Sequence, residues 1–429
     1  MRTSGLRFPR RTRAGALAAL IAFAGACERS DAHVTAPKGA EAFARYVAIG
    51  TGLSAGAQSG GVVYESQVQA WPALLARAAG AGFTTPLLRT PGCSPPLIAP
   101  LQLARLLSGA SATAGDSSCA GRLDTLTPPL NSLALPGATA WSALNLTPRG
   151  VAAAPAKYDV LDRSRYPLVL GATQSQVTAM LIERPTLVSV ELGLGEVLGA
   201  ATSGLVVTTA SYTQAAAFTF VPVAIFAPVY AAIADSVKRS GARAVLLAVP
   251  RASRLYALRA GAELWAERAA LATFGVTVAA DCNASPNFVF TAALVPVLAA
   301  RAQAMLAPQP LSCADVSGAA DHVLTPADVL TLDTAVDQMN QQIRALAEQN
   351  GWAFADVDAV FAGFVSASAR PPYRASDELT SVRPYGPYLS LDGIHPSVAG
   401  QLVIASAVAR ALDEKYGFAI AERLPSGVR

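Results

Sequence analysis

Short apolar runs alternate with longer amphipathic stretches along most of this chain. Four of these runs are followed directly by Gly or Pro, which is typical of buried strands that lead into turns. They are Tyr46–Ile49, Asn131–Leu135, Leu187–Leu192 and Ala244–Val249, with Trp352–Val357 as a weaker fifth candidate. Helical patterns lie between them, most clearly over Ala227–Ser240, Thr325–Asn350 and Pro396–Tyr416. Strands that alternate with helices predict an α/β fold in which helices cover both faces of a parallel sheet.

Composition supports one large folded unit. The chain has 429 residues, of which 52% are hydrophobic and 14% charged, so it can bury a sizeable core and is not of the disordered class. We predict a main domain over residues 45–416 and a short tail over 417–429. Within the domain, 84–130 and 275–325 are expected to be irregular insertions that shape a cleft.

The run Ala215–Ala234 carries no charge and is long enough to span a membrane. Pro222 and Pro228 interrupt it, which favours a buried segment leading into a core helix.

The N-terminus has the pattern of an export signal. An arginine-rich start precedes the apolar run Ala14–Ala26, which is too short for a membrane-spanning helix and is followed by Cys27. The small residues before Cys27 resemble a bacterial lipobox, although Ala24 stands where Leu is usual. We therefore predict a signal peptide over 1–26, lipidation of Cys27, a tether over 27–44 and an extracytoplasmic location in the bacterial cell envelope. An ordinary signal peptide with secretion of the chain is the alternative.

The formal charge of +4 comes from the same N-terminal segment, residues 1–26. Five arginines and no acids precede residue 27, so the remainder carries 28 basic and 29 acidic residues, a net charge of 28 − 29 = −1. The mature chain therefore lacks the positive surface that nucleic-acid binding requires. The partners expected are a small-molecule ligand and a membrane reached through the lipid anchor.

Four cysteines besides Cys27 fit an exported protein with two disulfides. Three pairings exist, and Cys93–Cys119 with Cys282–Cys313 is favoured because each pair closes a local loop. Four buried thiols are the alternative. The cysteines lack C-x-x-C spacing and the three histidines are scattered, so we expect neither a metal site nor a cofactor.

The sharpest chemical motif lies near the end of the domain. Asp392 precedes His395 by three residues, a spacing that lets the carboxylate orient one imidazole nitrogen and leave the other free as a general base. A capping Asp beside a solvated His is the alternative. In open parallel sheets, ligands bind beyond the carboxyl ends of the strands, where this motif and three glycine-containing segments are expected to meet.

Taken together, these segments resemble the SGNH hydrolases, also called GDSL esterases and lipases. The resemblance extends from Tyr46 to Leu412 and implies a three-layer, flavodoxin-like α/β/α fold that acts on carboxylic esters of lipids or acetylated compounds. It rests on four blocks in order: Gly50-Thr51-Gly52-Leu53-Ser54 with Gln58-Ser59-Gly60, Pro136-Gly137-Ala138, Gly193-Leu194-Gly195-Glu196, and Asp392-Gly393-Ile394-His395-Pro396.

The resemblance also implies site roles, and two catalytic side chains are missing. The family's serine nucleophile aligns with Gly52, and the Asn that binds the oxyanion aligns with Gly195, followed by Glu196 in place of Asp. Backbone N–H groups at Gly52 and Gly137 would complete the oxyanion site. The Asp392–His395 pair is kept.

Several hypotheses follow from these losses. Ser54 could replace the nucleophile, although a serine at a helix start more often acts as an N-cap. Alternatively, His395 could activate a water molecule in space vacated at Gly52. Either route would give an esterase with altered or weak catalysis. The competing interpretations are a catalytically inactive binding lipoprotein on the same fold and a purely structural envelope lipoprotein.

Overall fold

The computed structural model describes residues 36–113, 116–215, 218–366 and 370–425. The chain divides into residues 1–36 and one compact unit, Pro37–Arg429, to which the following description applies. The predicted signal peptide, Cys27 and the first part of the tether lie outside the described residues. Export and lipidation therefore stay predictions.

The described residues form eleven strands, sixteen α-helices and six short 3₁₀ helices. The strands are β1 (Tyr46–Gly50), β2 (Leu97–Ile98), β3 (Arg105–Leu106), β4 (Leu187–Glu191), β5 (Val207–Thr208), β6 (Thr219–Phe220), β7 (Arg243–Leu247), β8 (Leu258–Ala260), β9 (Phe288–Phe290), β10 (Val323–Leu324) and β11 (Ala353–Ala355). The α-helices are α1 (Gly52–Ala55), α2 (Tyr64–Gln67), α3 (Trp71–Ala78), α4 (Ala140–Asn145), α5 (Pro148–Ala153), α6 (Val160–Val169), α7 (Gln176–Ile182), α8 (Leu198–Ser203), α9 (Val223–Ser240), α10 (Gly261–Ala266), α11 (Arg268–Thr273), α12 (Thr291–Gln303), α13 (Pro326–Gln349), α14 (Val357–Phe364), α15 (Ala375–Thr380) and α16 (Val398–Tyr416). The 3₁₀ helices are Ala40–Phe43, Leu101–Leu103, Leu194–Glu196, Ala252–Arg254, Ala280–Cys282 and Ala421–Arg423.

The central sheet is parallel, with strand order β1-β4-β7-β11. The segment 131–135 extends it beside β1, because the Ala48 N–H donates to the Asn131 carbonyl at 2.9 Å and the Leu133 N–H donates to the Ala48 carbonyl at 2.9 Å. In chain order the sheet therefore runs 2-1-3-4-5, which is the flavodoxin-like arrangement.

Helices cover the sheet in two separate groups. Helix α9 packs with α4, α7 and α13, whereas α16 packs with α3 and α14, and both groups contact the strands. Strands buried on both faces favour apolar residues at most positions, which is why the central strands are largely apolar, with Ser189 and Glu191 as buried polar exceptions in β4. The predicted three-layer α/β/α fold is confirmed.

The predicted 275–325 insertion has more structure than an irregular loop. Strands β8, β9 and β10 form a small antiparallel sheet over a second hydrophobic cluster, which also contains the Cys282–Cys313 disulfide. The 84–130 segment is largely irregular, with the β2–β3 pair and the Cys93–Cys119 disulfide. Both disulfides have the pairing favoured from the sequence.

The ends of the predicted domain are packed more extensively than the sequence pattern indicated. Phe43, placed in the tether, is buried in the main core in the 3₁₀ helix Ala40–Phe43. Phe418 and Ile420, placed in the tail, pack against the same core, and the Phe43 and Phe418 ring centroids are 6.4 Å apart. Isolated apolar residues in short segments carry no periodicity, so only the tertiary structure shows that they are buried.

Helix α9 begins at Val223, within the uncharged run Ala215–Ala234, and Pro228 lies inside this helix. In the described part of the chain, every helix is too short or too polar to cross a membrane.

Candidate active site

The first block forms a tight turn at the carboxyl end of β1. Thr51 caps the four-residue helix α1, whose first residue is Gly52, and Gly56 ends the helix at φ 77°, a conformation that favours glycine. The Thr51 hydroxyl accepts a hydrogen bond from the Leu53 N–H at 3.4 Å. This turn aims position 52 toward the loop that carries His395.

Asp392 and His395 form a hydrogen-bonded pair. The His395 Nδ1 atom lies 2.7 Å from Asp392 Oδ2, and the His395 side chain is 15% exposed. Burial alone would lower the pKa of His395, but the charge and hydrogen bond of Asp392 and the charge of Glu191 outweigh burial and raise it. Burial alone would raise the pKa of Asp392, but His395 and two backbone N–H groups lower it.

Asp392 is also the centre of a structural network. Its Oδ1 accepts from the backbone N–H groups of Ile394 and His395, both at 2.9 Å, and from the Ser390 hydroxyl at 3.1 Å. Its Oδ2 accepts from the Gly60 N–H at 2.6 Å. Asp392 therefore holds the first and last blocks together whether or not the site is catalytic.

Gly52 faces the imidazole at very close range. A β-carbon built on Gly52 would lie 2.6 Å from His395 Nε2, closer than real β-carbons approach such an atom. The imidazole therefore occupies the space in which a side chain at position 52 would begin. The idea that Gly52 leaves room there for a catalytic water is corrected by this contact.

Ser54 directs its hydroxyl to a different residue. The hydroxyl donates to Glu191 Oε2 at 3.0 Å, and the Ser54 N–H reaches the same oxygen at 3.2 Å. The side chain is buried at the carboxyl end of β4. In this arrangement Ser54 stabilises the turn, and its proton is held by Glu191 rather than by His395.

Glu191 is the site residue that sequence reasoning missed. Its carboxylate accepts from the Thr51 N–H at 2.9 Å and from the Thr51 hydroxyl at 2.7 and 2.9 Å, in addition to Ser54. Burial raises its pKa, and the hydrogen bonds from Thr51 and Ser54 partly oppose that rise. The available signal was a single charged residue in an otherwise apolar strand, because unpaired charges are rarely buried without a specific role.

The oxyanion blocks are packed against each other. A β-carbon on Gly195 would overlap the carbonyl oxygen of Ala138, so an asparagine does not fit there without movement of the backbone. Gly137 adopts φ 75° and has open space on the side of its missing β-carbon. The structure thus brings these blocks together but leaves no place for the side-chain donor of the oxyanion site.

Glu196 lies buried behind this loop. Its Oε1 accepts from the Ala140 N–H at 2.6 Å and from the Tyr212 hydroxyl at 2.8 Å, whereas its Oε2 has no hydrogen-bond partner among the described residues. Burial raises the pKa of Glu196 to about 7. Glu196 therefore supports the start of α4 from within.

A cleft of about 470 Å³ opens beside the blocks. Gly137, Gly195 and Ile394 are among the residues that line it. Its walls also include aromatic and charged side chains: Trp141, Tyr158, Tyr166, Tyr212, Lys157, Arg165 and Asp162. Such walls can contact a ligand with both apolar and polar groups.

In the described part of the chain, one group of three potential metal-ligating side chains lies close together, formed by Asp281, Cys282 and Cys313. Both sulfur atoms belong to the disulfide, so one exposed carboxylate remains. A disulfide lacks the thiolates that zinc and softer metals bind.

Comparison with known proteins gives remote structural similarities. No family model and no curated protein matches the chain. A GDSL-like lipase from Parabacteroides merdae is similar at 11% identity and TM-score 0.33, covering 85% of this chain and 94% of its own. An acetylxylan esterase from Geobacillus stearothermophilus is similar at 11% identity and TM-score 0.34, with coverage of 87% and 94%. An α/β hydrolase enzyme from the Lake Arreo metagenome is similar at 14% identity and TM-score 0.31, with coverage of 85% and 93%.

At such low sequence identity and structural similarity, the function has to be inferred from the geometry of the site itself. Sheet order is a property of the chain's own backbone, and it places the four blocks at one edge of the sheet. The chain has a three-layer, flavodoxin-like α/β/α fold in which Gly52 and Gly195 stand where the sequence resemblance to SGNH hydrolases predicts the nucleophile and the oxyanion side chain.

Proposed function

We propose that this protein binds a small-molecule ligand in its hydrolase-like cleft without forming an acyl-serine intermediate. The observation that carries the proposal is the contact at position 52, where His395 Nε2 fills the space of a nucleophilic side chain. A serine mechanism requires a hydroxyl between the base and the scissile carbonyl. Here the His395 imidazole packs directly against the backbone of Gly52.

Two further features support binding without serine-based turnover. The hydroxyl of Ser54 donates to Glu191, so its proton is not offered to His395. The Ala138 carbonyl excludes a side chain at Gly195, and loss of one oxyanion donor typically costs about 10²–10³ in rate. Each loss alone would weaken catalysis, and together they remove both the nucleophile and part of its transition-state stabilisation.

Retention of the Asp392–His395 pair fits a binding protein as well. Asp392 accepts hydrogen bonds from Gly60, Ser390 and Ile394, which join two distant loops. This network gives the chain a structural reason to keep Asp392 after the nucleophile has been lost.

A second candidate function is weak hydrolysis of carboxylic esters of lipids or acetylated compounds by an altered route. The hydrogen bond of 2.7 Å between Asp392 and a partly exposed His395 favours it, because such a pair can act as a general base toward water. The water would have to approach Nε2 from a side other than that of Gly52, which is closed.

An ester assay with matched variants separates these functions. We expect the wild-type protein to hydrolyse p-nitrophenyl acetate and butyrate no faster than His395→Ala does, and a fluorophosphonate probe to leave Ser54 unlabelled. Ser54→Ala serves as the control for the displaced nucleophile, and Gly52→Ser tests whether a serine can act once the imidazole shifts aside. If the wild type hydrolyses these esters and His395→Ala does not, weak ester hydrolysis is the function and binding without turnover is ruled out. If the probe labels Ser54, a serine mechanism with Ser54 as the nucleophile is supported instead.

We also propose that the chain is exported and anchored in the cell envelope through lipidated Cys27. The arginine-rich start, the apolar run and the small residues before Cys27 support this proposal, and disulfides are typical of oxidising compartments.

Replacement of Cys27 tests the anchor. In a bacterial host, we expect the wild-type protein to enter the detergent phase of a Triton X-114 partition and Cys27→Ser to enter the aqueous phase, because the acyl chains would be missing. Ser30→Ala in the same segment is the control and should partition like the wild type. Equal partition of Cys27→Ser and wild type would rule out the lipid anchor.

A further inference from the structure

The two insertions of the domain are joined at the surface of the protein. The Gln303 side-chain amide at the end of α12 donates to the Gln102 carbonyl at 3.2 Å, and α12 packs against the 3₁₀ helix Leu101–Leu103. The adjacent strands β2 and β3 pair antiparallel, so that Ile98 lies opposite Arg105. Residues 97–107 and 301–306 therefore form one joined surface, which we call the insertion surface.

Large apolar side chains are exposed on both parts of the insertion surface. Met305 is 92% exposed, and Leu306 beside it is 51% exposed. Ile98, Leu103 and Leu107 are exposed on the other part. Single exposed apolar residues are normal on a protein, but a group contributed by two adjoining segments is typical of an interaction surface.

Met305 occupies a position at which helices commonly end with glycine. The Leu306 N–H donates to the Arg301 carbonyl at 3.1 Å and the Met305 N–H donates to the Ala302 carbonyl at 3.0 Å, which is the Schellman arrangement. Met305 has φ 53° in this turn, a left-handed conformation that methionine rarely adopts. Glycine would form the same turn with less strain and without an exposed apolar side chain. The fold itself gives no reason for a methionine here, so we look for the reason in a contact outside the chain.

The charges of the insertion surface favour an anionic partner. Residues 97–107 contain Arg105 and residues 301–306 contain Arg301, and neither segment contains an acidic residue. The side chains of both arginines form no ion pair or hydrogen bond within the described part of the chain. Asp116, which accepts a hydrogen bond from Ser108 at the turn after β3, is an opposing charge. These three groups together carry one net positive charge.

We propose that the insertion surface rests on an anionic lipid bilayer, with Met305 and Leu306 at the edge of the acyl chains and Arg105 at the headgroups. A fluid bilayer accepts apolar side chains that project singly, whereas a folded partner needs a pocket of matching shape for each. Apolar side chains combined with cations are typical of proteins that bind the surface of a membrane. The contact depends neither on a ligand in the cleft nor on lipidation of Cys27.

Vesicle sedimentation of the protein without residues 1–27 tests this proposal. This form keeps the whole compact unit Pro37–Arg429 and cannot carry the lipid anchor, so its binding reports on the surface alone. At low salt, we expect its partition into vesicles of phosphatidylcholine and phosphatidylglycerol to exceed that into phosphatidylcholine alone by about fivefold, the effect of one net positive charge near an anionic surface. High salt should remove this difference, because it screens the charges.

Three variants of the same form assign the contact to named side chains. Met305→Gly should weaken binding to the anionic vesicles by about tenfold, because one inserted apolar side chain is lost. Glycine suits the backbone of this turn, so the variant should keep its fold. Arg105→Gln should weaken binding to the anionic vesicles by about fivefold. Leu330→Ala, which removes an exposed apolar side chain from α13, is the control and should bind like the wild type.

The outcomes distinguish a bilayer from other partners. Wild-type protein that binds neither kind of vesicle, or a Met305→Gly variant that binds as the wild type does, would overturn the membrane contact. Equal losses in Met305→Gly and Leu330→Ala would also overturn it, because binding would then not depend on the insertion surface. A dimer seen by size-exclusion chromatography that Met305→Gly abolishes, without vesicle binding, would show instead that this surface joins two copies of the chain. Circular dichroism confirms that each variant is folded.

Discussion

Asp392→Ala is expected to lower the free energy of unfolding by about 3–5 kcal/mol, because it removes a buried carboxylate to which the His395 imidazole and several neighbouring donors are hydrogen-bonded. The carboxylate accepts hydrogen bonds from the Gly60 N–H, from the Ser390 hydroxyl and from two backbone N–H groups of its own loop. Alanine would leave the three backbone N–H groups and the His395 imidazole without this acceptor, whereas the Ser390 hydroxyl could still donate to the His395 carbonyl. Urea unfolding followed by circular dichroism measures the loss.

Two companion variants make this result specific. Asp392→Asn keeps one acceptor oxygen and should cost less than alanine. Asp377→Ala, at an exposed position of α15, should change stability by no more than about 0.5 kcal/mol. An Asp392→Ala variant as stable as Asp377→Ala would show that the two loops are held together by other contacts.

Glu196→Gln is expected to remove a large part of the pH dependence of stability. The folded-state pKa of Glu196 is raised to about 7 by burial, from an ordinary value of 4.5. The folded protein therefore binds a proton that the unfolded chain releases between these values. The stability contributed by this proton is fully present below pH 4.5 and is lost as the pH rises to about 7.

The size of the effect follows from the pKa difference. A shift of this size corresponds to about 3 kcal/mol, since one pKa unit is worth about 1.4 kcal/mol. We expect the wild type to lose about this much relative to Glu196→Gln between pH 4.5 and pH 7, because an amide does not titrate. Urea unfolding at a series of pH values measures the difference.

An exposed control isolates the contribution of Glu196. Glu348→Gln on α13 should give a pH profile parallel to that of the wild type. Parallel profiles for Glu196→Gln and wild type would mean that folding does not raise the pKa of Glu196.

The strands of the central sheet could be predicted because each is an apolar run bounded by turn residues. Leu187–Leu192 was predicted and Leu187–Glu191 is observed, and the run Asn131–Leu135 lies beside β1. The small sheet of β8, β9 and β10 was missed. Strands of two or three residues, such as Val323–Leu324, are too short to show a pattern.

The approximate location of the site could also be predicted, but its detailed chemistry could not. Parallel strands end at one edge of a sheet, so the order of the blocks along the sequence was enough to place Gly52 near His395. A β-carbon at position 195 would lie 2.3 Å from the Ala138 carbonyl oxygen, and a sequence pattern does not show so close an approach of two backbone segments. Glu191 was included in a predicted strand without a role, because its partners Thr51 and Ser54 come from a different block.

The loop that contains Ser59 and Gly60 depends on residues made very late. The Ser59 N–H donates to the Ser390 hydroxyl at 2.8 Å, across 331 positions of sequence, and Gly60 reaches Asp392 across 332. During synthesis from the N-terminus, the N–H groups of Ser59 and Gly60 lack these acceptors until the last part of the domain emerges from the ribosome. Because contacts between distant parts of a chain form slowly, we expect this loop to reach its final packing late, after nearly the whole domain has been made.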